Sequence, residues 1–191
     1  MNEHEIWNSF KDGSEASFFL LYKEYASMMF RYGCKLSKDK DMVKDCLQQV
    51  FFNLWKGKEN LGNPDSIKNY MLKALRCEII KQSCKKNSFE SLPDNYHFLS
   101  LSSYESDLID LQTNEISQKK VEALLVQLPA RQKEVLFLKY YMDLNPKEIS
   151  VVMGLEQESV YKLTYKAIDK LQQLFFKTYA AFFLLFLRSL Y

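Results

Sequence analysis

Apolar residues recur every three or four positions through most of this chain, the period of a helix with one face against a core. Ser14 can cap such a helix, and Phe18, Leu21, Tyr22, Tyr25, Met29 and Tyr32 then form its stripe. A second helix opens near Asp39 and carries Val43, Cys46, Leu47, Val50, Phe51 and Leu54, with Trp55 adjoining. The stretch GKENLGNPD at 57–65 holds two Gly and one Pro and reads as a loop. A third helix follows with Ile67, Tyr70, Met71, Ala74 and Leu75 on one face. Its other face carries Lys68, Lys73, Arg76 and Lys81, and it ends in Lys85 and Lys86.

Residues 88–115 keep no sustained period. They are rich in Ser, Asp and Asn and read as a linker. Phe89, Leu92, Tyr96, Phe98, Leu99 and Leu101 within it point to a linker that lies along a surface. Helical spacing resumes near Glu115, with Val121, Leu124, Leu125 and Leu128 as a stripe. Pro129 suits the first position of the next helix, which carries Val135, Leu138 and Met142. No internal repeat is evident.

The most specific local signal begins at Asn145. Asn145 as N-cap, Pro146 at the first helical position and Glu148 three residues past the cap make a capping-box start. Ile149 and Val152 are the buried face of this short helix, and the small Ser150 lets a second helix approach. Gly154 follows where a tight turn needs a positive φ. Val160 and Leu163 are aimed back at the first helix. This is helix-turn-helix spacing, which places its second helix in the DNA major groove. The exposed face would offer Gln157, Glu158, Ser159, Tyr161, Lys162, Tyr165 and Lys166. The plain alternative is a helical hairpin with a glycine turn.

Five Gly and four Pro in 191 residues fit the helical reading. The net charge of +2 conceals a segregation. Residues 1–87 hold 15 Lys/Arg against 11 Asp/Glu, and residues 116–191 hold 11 against 7. Between them, 88–115 hold six carboxylates and no Lys or Arg. Two basic ends flanking an acidic connector permit nucleic-acid binding by both ends. Cysteines at 34, 46, 77 and 84 form no CxxC, and neither histidine stands at ligand spacing to one. Residues 1–10 are polar and lack the apolar run of a signal peptide. The expectation is reduced thiols in a cytoplasmic protein, with a thiol sensor or zinc site as the sharper alternative. Lacking a phosphate-cradling glycine loop, a metal cluster and a nucleophile with its base, the sequence predicts no enzyme, no cofactor and no small-molecule substrate.

The run LPARQKEVLFLKYYMDLNPKEISVVMGLEQESVYKLTYKAIDKLQQLF at 128–175 resembles the C-terminal promoter-binding region of sigma-70 factors of the extracytoplasmic-function group. Such regions begin with Leu-Pro-x-x-x-x-x-Val/Ile. The N-terminal half matches independently. DMVKDCLQQVFFNLW at 41–55 looks like the helix these factors set against core RNA polymerase, and Asp45, Gln48, Gln49 and Phe51 stand in the Asp-x-x-Gln-Glu/Asp-x-Phe pattern. The helix IKNYMLKALRCEIIKQSCKKN resembles the family's Tyr-Leu-x-x-x-Ala-Arg helix, which binds the −10 element. The resemblance covers about residues 14–175. It departs at Gln49, usually acidic, at Cys77, usually Asn, and at Tyr161, Leu163 and Tyr165, where Lys, Arg and His are common. Those changes, with Glu156 and Glu158, argue against borrowing a relative's promoter sequence.

The resemblance implies an all-α chain of two small helical domains: 1–87 for core polymerase and the −10 element, and 116–175 for the −35 element. The acidic linker 88–115 joins them, and 176–191 form an apolar tail. It assigns Asp45, Gln48 and Gln49 to core binding, with Val50, Phe51 and Leu54 holding that helix to its own domain. It assigns Asn60 and Asn63 to an extruded −10 base, and Lys68, Lys73, Arg76 and Lys81 to phosphates. Tyr70 fits the edge of the core better than a base stack. At −35 it places Lys162 and Lys166 on phosphates, with Glu158, Ser159, Tyr161 and Tyr165 toward the groove. The linker would be either an acidic occupant of an RNA channel or a flexible tether. Implied partners are core RNA polymerase, promoter DNA and an anti-sigma protein. The uncharged run 178–187 is ten residues, too short to span a bilayer, so no transmembrane segment is expected. Phe176, Tyr179, Ala180, Phe183 and Leu187 keep a helical period, so the recognition helix can continue into a tail that packs on the chain itself, on a partner or on a membrane surface. The competing function is a stand-alone helix-turn-helix regulator, which has no need of the 41–55 block.

Overall fold

A computed structural model of the chain describes residues 2–87, 98 and 123–189, the side chains of 85–87 and 178–189 excepted. It is all-α: no strand occurs among the described residues. The helices are α1 (Glu3–Lys11), α2 (Glu15–Leu36), α3 (Lys40–Gly57), α4 (Ile67–Asn87), α5 (Ala130–Tyr140), α6 (Pro146–Met153) and α7 (Gln157–Ser189). A 3-10 turn, Lys58–Asn60, follows α3, and residues 123–126 form a helical turn ahead of α5.

Side-chain caps start four of these helices. Asn2 and Glu5 close a capping box on α1, as Asn145 and Glu148 do on α6. Ser14 accepts from the Ser17 amide, and Asp39 from the Met42 amide, at the starts of α2 and α3. Pro129 flanks α5, which begins at Ala130, one residue later than its proline suggested. The helix α1 was not anticipated, because its apolar residues are too few to show a period in nine positions. Trp7 and Phe10 are nonetheless fully buried, against Phe18, Trp55 and Tyr70.

Helices α2, α3 and α4 pack on one another through the anticipated stripes, except that Tyr22, expected in the α2 stripe, is 45% exposed. Gly33 lets α2 approach closely, since a Cβ there would stand 2.6 Å from Val43 Cγ1. Helices α5, α6 and α7 form a second set around Val135, Leu138, Ile149, Val152 and Val160, all essentially without exposure. The buried apolar cluster runs without a break from the first set into the second. The bridge is α4, which packs on α2 and α3 on one side and on α6 on the other.

Most of the acidic stretch lies outside the described residues. Its Phe98 is buried and meets the Phe137 ring edge-on at 5.7 Å, so at that point the chain is seated on α5. Of the expected 121–128 stripe, Val121 lies outside the described residues, while Leu125 and Leu128 are buried. Helix α7 runs through the recognition segment to Ser189 without interruption. No helix among the described residues is long and apolar enough to cross a membrane.

Candidate nucleic-acid and polymerase interfaces

On α3 the helical period separates two faces. Val43, Cys46, Leu47, Val50, Phe51 and Leu54 are buried, while Asp45, Gln48 and Gln49 stand in solvent. The Gln49 amide donates to Asn53 Oδ1 at 2.8 Å, one turn on. Phe52 lies on this face with 60% exposure, and Phe19 and Tyr22 of α2 are exposed as well. Sequence reasoning missed Phe52. Its signal was a phenylalanine falling between the stripe positions Phe51 and Leu54, on the polar side. A polar face centred on a bare aromatic ring has the composition of a docking surface.

The loop after α3 is held by α1. Trp7 Nε1 donates to the Gly62 carbonyl at 3.0 Å, and Lys11 Nζ donates to Asn63 Oδ1 at 3.0 Å. An ammonium can only donate, so Asn63 must turn its oxygen to Lys11 and its NH₂ group away. Asn60 and Asn63 are both exposed. Tyr70 is half-buried and meets Trp7 edge-on at 5.6 Å, which makes it a wall of the core.

The four cations expected on one basic face of α4 are divided. Lys73 and Lys81 are exposed, and Lys81 pairs with Glu78 at 3.3 Å. Lys68 is half-buried and donates to the Met142 carbonyl at 2.9 Å. Arg76 is buried. Its Nε and one terminal nitrogen meet the two oxygens of Glu134 at 2.9 and 3.3 Å, and the Tyr32 hydroxyl donates to the same carboxylate. Glu134 has no exposure at all. The expectation of a solvated basic face is corrected here for Arg76 and Lys68: helices α5 and α6 cover that part of α4, and the charges are matched by hydrogen-bonding partners. Sequence reasoning did not single out Glu134, because hydropathy assigns a lone glutamate to solvent.

The helix-turn-helix has the predicted local geometry. Gly154 ends α6 at φ +65°, a left-handed conformation that glycine adopts without strain. Val160 is buried and Leu163 half-buried. Glu158, Tyr161, Lys162, Tyr165 and Lys166 are exposed on the outer face of α7, and Ser159 is half-buried. Lys162 and Glu158 pair at 2.7 Å, so two of the groups expected to meet DNA meet each other in the free chain. The packing of α5 and α6 onto α4 leaves this outer face open. Among the described residues, no cluster of His, Cys, Asp and Glu is built to hold a metal.

The family model described as sigma-70, region 4 matches residues 118–171, the span of the helix-turn-helix. Outside that span the likeness continues. The ECF RNA polymerase sigma factor SigM of Bacillus subtilis (strain 168) is 21% identical over 156 residues, covering 81% of this chain and 93% of its own length. This likeness is to a sigma factor of the extracytoplasmic-function group. The RNA polymerase sigma factor SigZ of the same strain is 25% identical over 154 residues, 81% of this chain and 84% of its own. Two solved structures share the fold of this chain. CnrH, in complex with the cytosolic domain of CnrY, superposes with a TM-score of 0.60 at 14% identity, over 91% of this chain and 96% of its own. The sigma factor RpoE, in complex with the anti-sigma factor NepR from Bartonella quintana, gives 0.59 at 17% identity, over 84% and 95%.

Proposed function

We propose that this chain is an alternative RNA polymerase sigma factor that directs core polymerase to a particular class of promoters. The observation that carries the reading is the pairing, on one chain, of a helix-turn-helix matched as sigma-70 region 4 with a separate exposed face on α3. A stand-alone DNA-binding regulator needs only the first. In this reading residues 1–87 hold core polymerase and the −10 element, 116–175 hold the −35 element, 88–115 tether them and 176–191 are an apolar C-terminal tail.

Asp45, Gln48 and Gln49 dock on the polymerase, with Phe52 as the apolar centre of the contact. Asn60 and Asn63 face an extruded −10 base, and Lys68, Lys73, Arg76 and Lys81 neutralise the strand's phosphates. Lys162 and Lys166 position α7 on duplex phosphates, while Glu158, Ser159, Tyr161 and Tyr165 reach base edges. The role is binding without catalysis, carried out in a bacterial cytoplasm. An anti-sigma protein is the expected regulatory partner, supported by the fold shared with RpoE, which was solved with one.

Capture of the purified chain by core polymerase, set against a D45A/Q48A variant, tests this reading. Both side chains are exposed, so their removal should change stability by no more than about 0.5 kcal/mol. Tight capture that the double substitution weakens establishes the sigma factor and its docking face. Failure of the intact chain to be captured sinks the reading in favour of the stand-alone regulator.

A further inference from the structure

Helix α7 outruns the core it packs on. Val160, Thr164 and Ala167 are buried, and Leu171 is the last residue of the helix to pack against the buried cluster. Phe175, Phe176 and Lys177 are then exposed one after another, Phe176 at 70%. Three successive helical positions span about 200° of the circumference, so no other helix among the described residues covers α7 there. The backbone nevertheless stays helical to Ser189. No Gly or Pro occurs between 157 and 189 to turn it back. At about 1.5 Å per residue the helix reaches roughly 27 Å beyond Leu171.

This projection is apolar on most sides and basic along one. The run TYAAFFLLFL at 178–187 holds no charge, and its ten positions leave no polar stripe around the helix. Residues 170–191 hold Lys170, Lys177 and Arg188 and no Asp or Glu. At about 100° per residue, positions 166, 170, 177 and 188 fall within about 40° of one another, so four cations share one side of α7. Positions 175, 179, 182 and 186, which are Phe, Tyr, Phe and Phe, fall on the opposite side. A second copy laid along those four makes a two-helix seam, which covers a narrow stripe and leaves Phe183, Leu184, Leu185 and Leu187 in water. A lipid surface covers them all and answers the basic line with phosphates. The uncharged run is about 15 Å long, half the hydrocarbon thickness of a bilayer, so it lies in the surface and does not cross. We propose that residues 175–188 of α7 are a membrane-surface anchor. The helix lies in the headgroup plane of an anionic bilayer, its aromatic side in the acyl boundary, with Lys177 and Arg188 at the two ends of the run on lipid phosphates. The proposal stands on α7 alone and does not need the sigma-factor reading.

The test is flotation of the full chain with vesicles of phosphatidylglycerol and phosphatidylcholine in equal parts, beside vesicles of phosphatidylcholine alone, at physiological salt. The full chain should float with the anionic vesicles and bind the neutral ones more weakly. A chain ended after Leu174 keeps every core residue of α7 and should stay behind. Lys177→Gln and Arg188→Gln leave the apolar run whole, and each should lower the affinity about fivefold, the usual contribution of one cation near an anionic surface. A loss at Lys177 with none at Arg188 means that the helix enters end-on, and overturns the in-plane arrangement. Equal capture by neutral vesicles overturns the part given to the basic line. Equal flotation of the shortened chain puts the lipid contact elsewhere and overturns the anchor, as does a full chain that anionic vesicles leave behind. Sedimentation velocity without vesicles then names the occupant in that last case: a dimer that dissociates on truncation is a second copy on the aromatic seam.

Discussion

Arg76 Nε and Glu134 Oε1 stand 2.9 Å apart although 58 residues separate them in the chain; Glu134 is fully buried and the Arg76 side chain keeps only 10% exposure. Taking away one member strands the other. For Arg76→Ala the expected loss is about 3–5 kcal/mol, the usual cost of leaving a buried charge unmatched. The loss falls on the contact between α4 and the C-terminal helices. Trp7 and Trp55 both lie in the N-terminal helices, so their fluorescence follows that set alone. In urea, far-UV circular dichroism of the variant should begin to fall before tryptophan fluorescence changes. Coincident transitions at the wild-type midpoint would show that the ion pair does not couple the two sets.

Two glycines matter for opposite reasons, and alanine at each tests them. At Gly154 the backbone is left-handed with open space around the missing Cβ, so Gly154→Ala should cost only the conformational strain, about 1–2 kcal/mol. At Gly33 the backbone is ordinary helix and the obstacle is Val43 Cγ1, 2.6 Å from the new Cβ. Gly33→Ala must push α2 from α3, an overpacking that costs about 1–3 kcal/mol. Trimming Val43 to alanine should recover most of the Gly33→Ala loss and none of the Gly154→Ala loss. Denaturation midpoints of the two double variants decide it, and equal recovery at both positions would refute the distinction.

Period and punctuation made most of this fold legible. The stripes of α2 and α3, the Asn145–Glu148 box and the turn at Gly154 follow from spacing and residue type, because the forces that set them are local. The outer faces of α3 and α7 were legible for the same reason. What the sequence concealed is long-range. Charged Lys68 and Arg76 read as solvated until Met142 and Glu134 arrive from the other end of the chain. Helix α1 was hidden differently: Asn2 and Glu5 spell a capping box ahead of it, a signal that could have announced the helix that places Trp7 and Lys11 on the 57–65 loop.

The buried thiols set an alkaline limit on stability. Burial raises Cys34 above the usual thiol range and pushes Cys46 up to about 11, with Glu78 and Asp45 adding to the effect at Cys46. The folded state therefore favours the protonated thiols, while an unfolded thiol ionises near about 8.5. Their contribution is complete below the unfolded value and is lost as pH rises from there through the folded values. Stability should fall between roughly pH 8.5 and 11, and a Cys46→Ser variant should show a shallower fall. Alkylation at pH 8 offers a second check. Exposed Cys77 should react in the native chain, and buried Cys34 and Cys46 only once denaturant is added. Native-state labelling of Cys46 at the rate of Cys77 would remove the basis for the pH limit.

Trp7 joins the first helix to the loop proposed to face the −10 base through two separable properties of one side chain. Its ring packs against Phe10 and Tyr70, and its Nε1 donates to the Gly62 carbonyl. Trp7→Phe keeps much of the ring and loses the donor. The expected cost is about 1 kcal/mol for the hydrogen bond, with a further cost for the smaller ring. The local effect is the informative one. Lys11 still reaches Asn63, so the loop keeps one of its two ties, and a Trp7→Phe, Lys11→Met variant releases both. Amide hydrogen exchange across 57–65 should quicken in the single variant and quicken again in the double, while amides in α5 and α6 keep their protection. If the loop exchanges at the wild-type rate in the double variant, its conformation is set by its own turn residues, and α1 has no part in presenting Asn63.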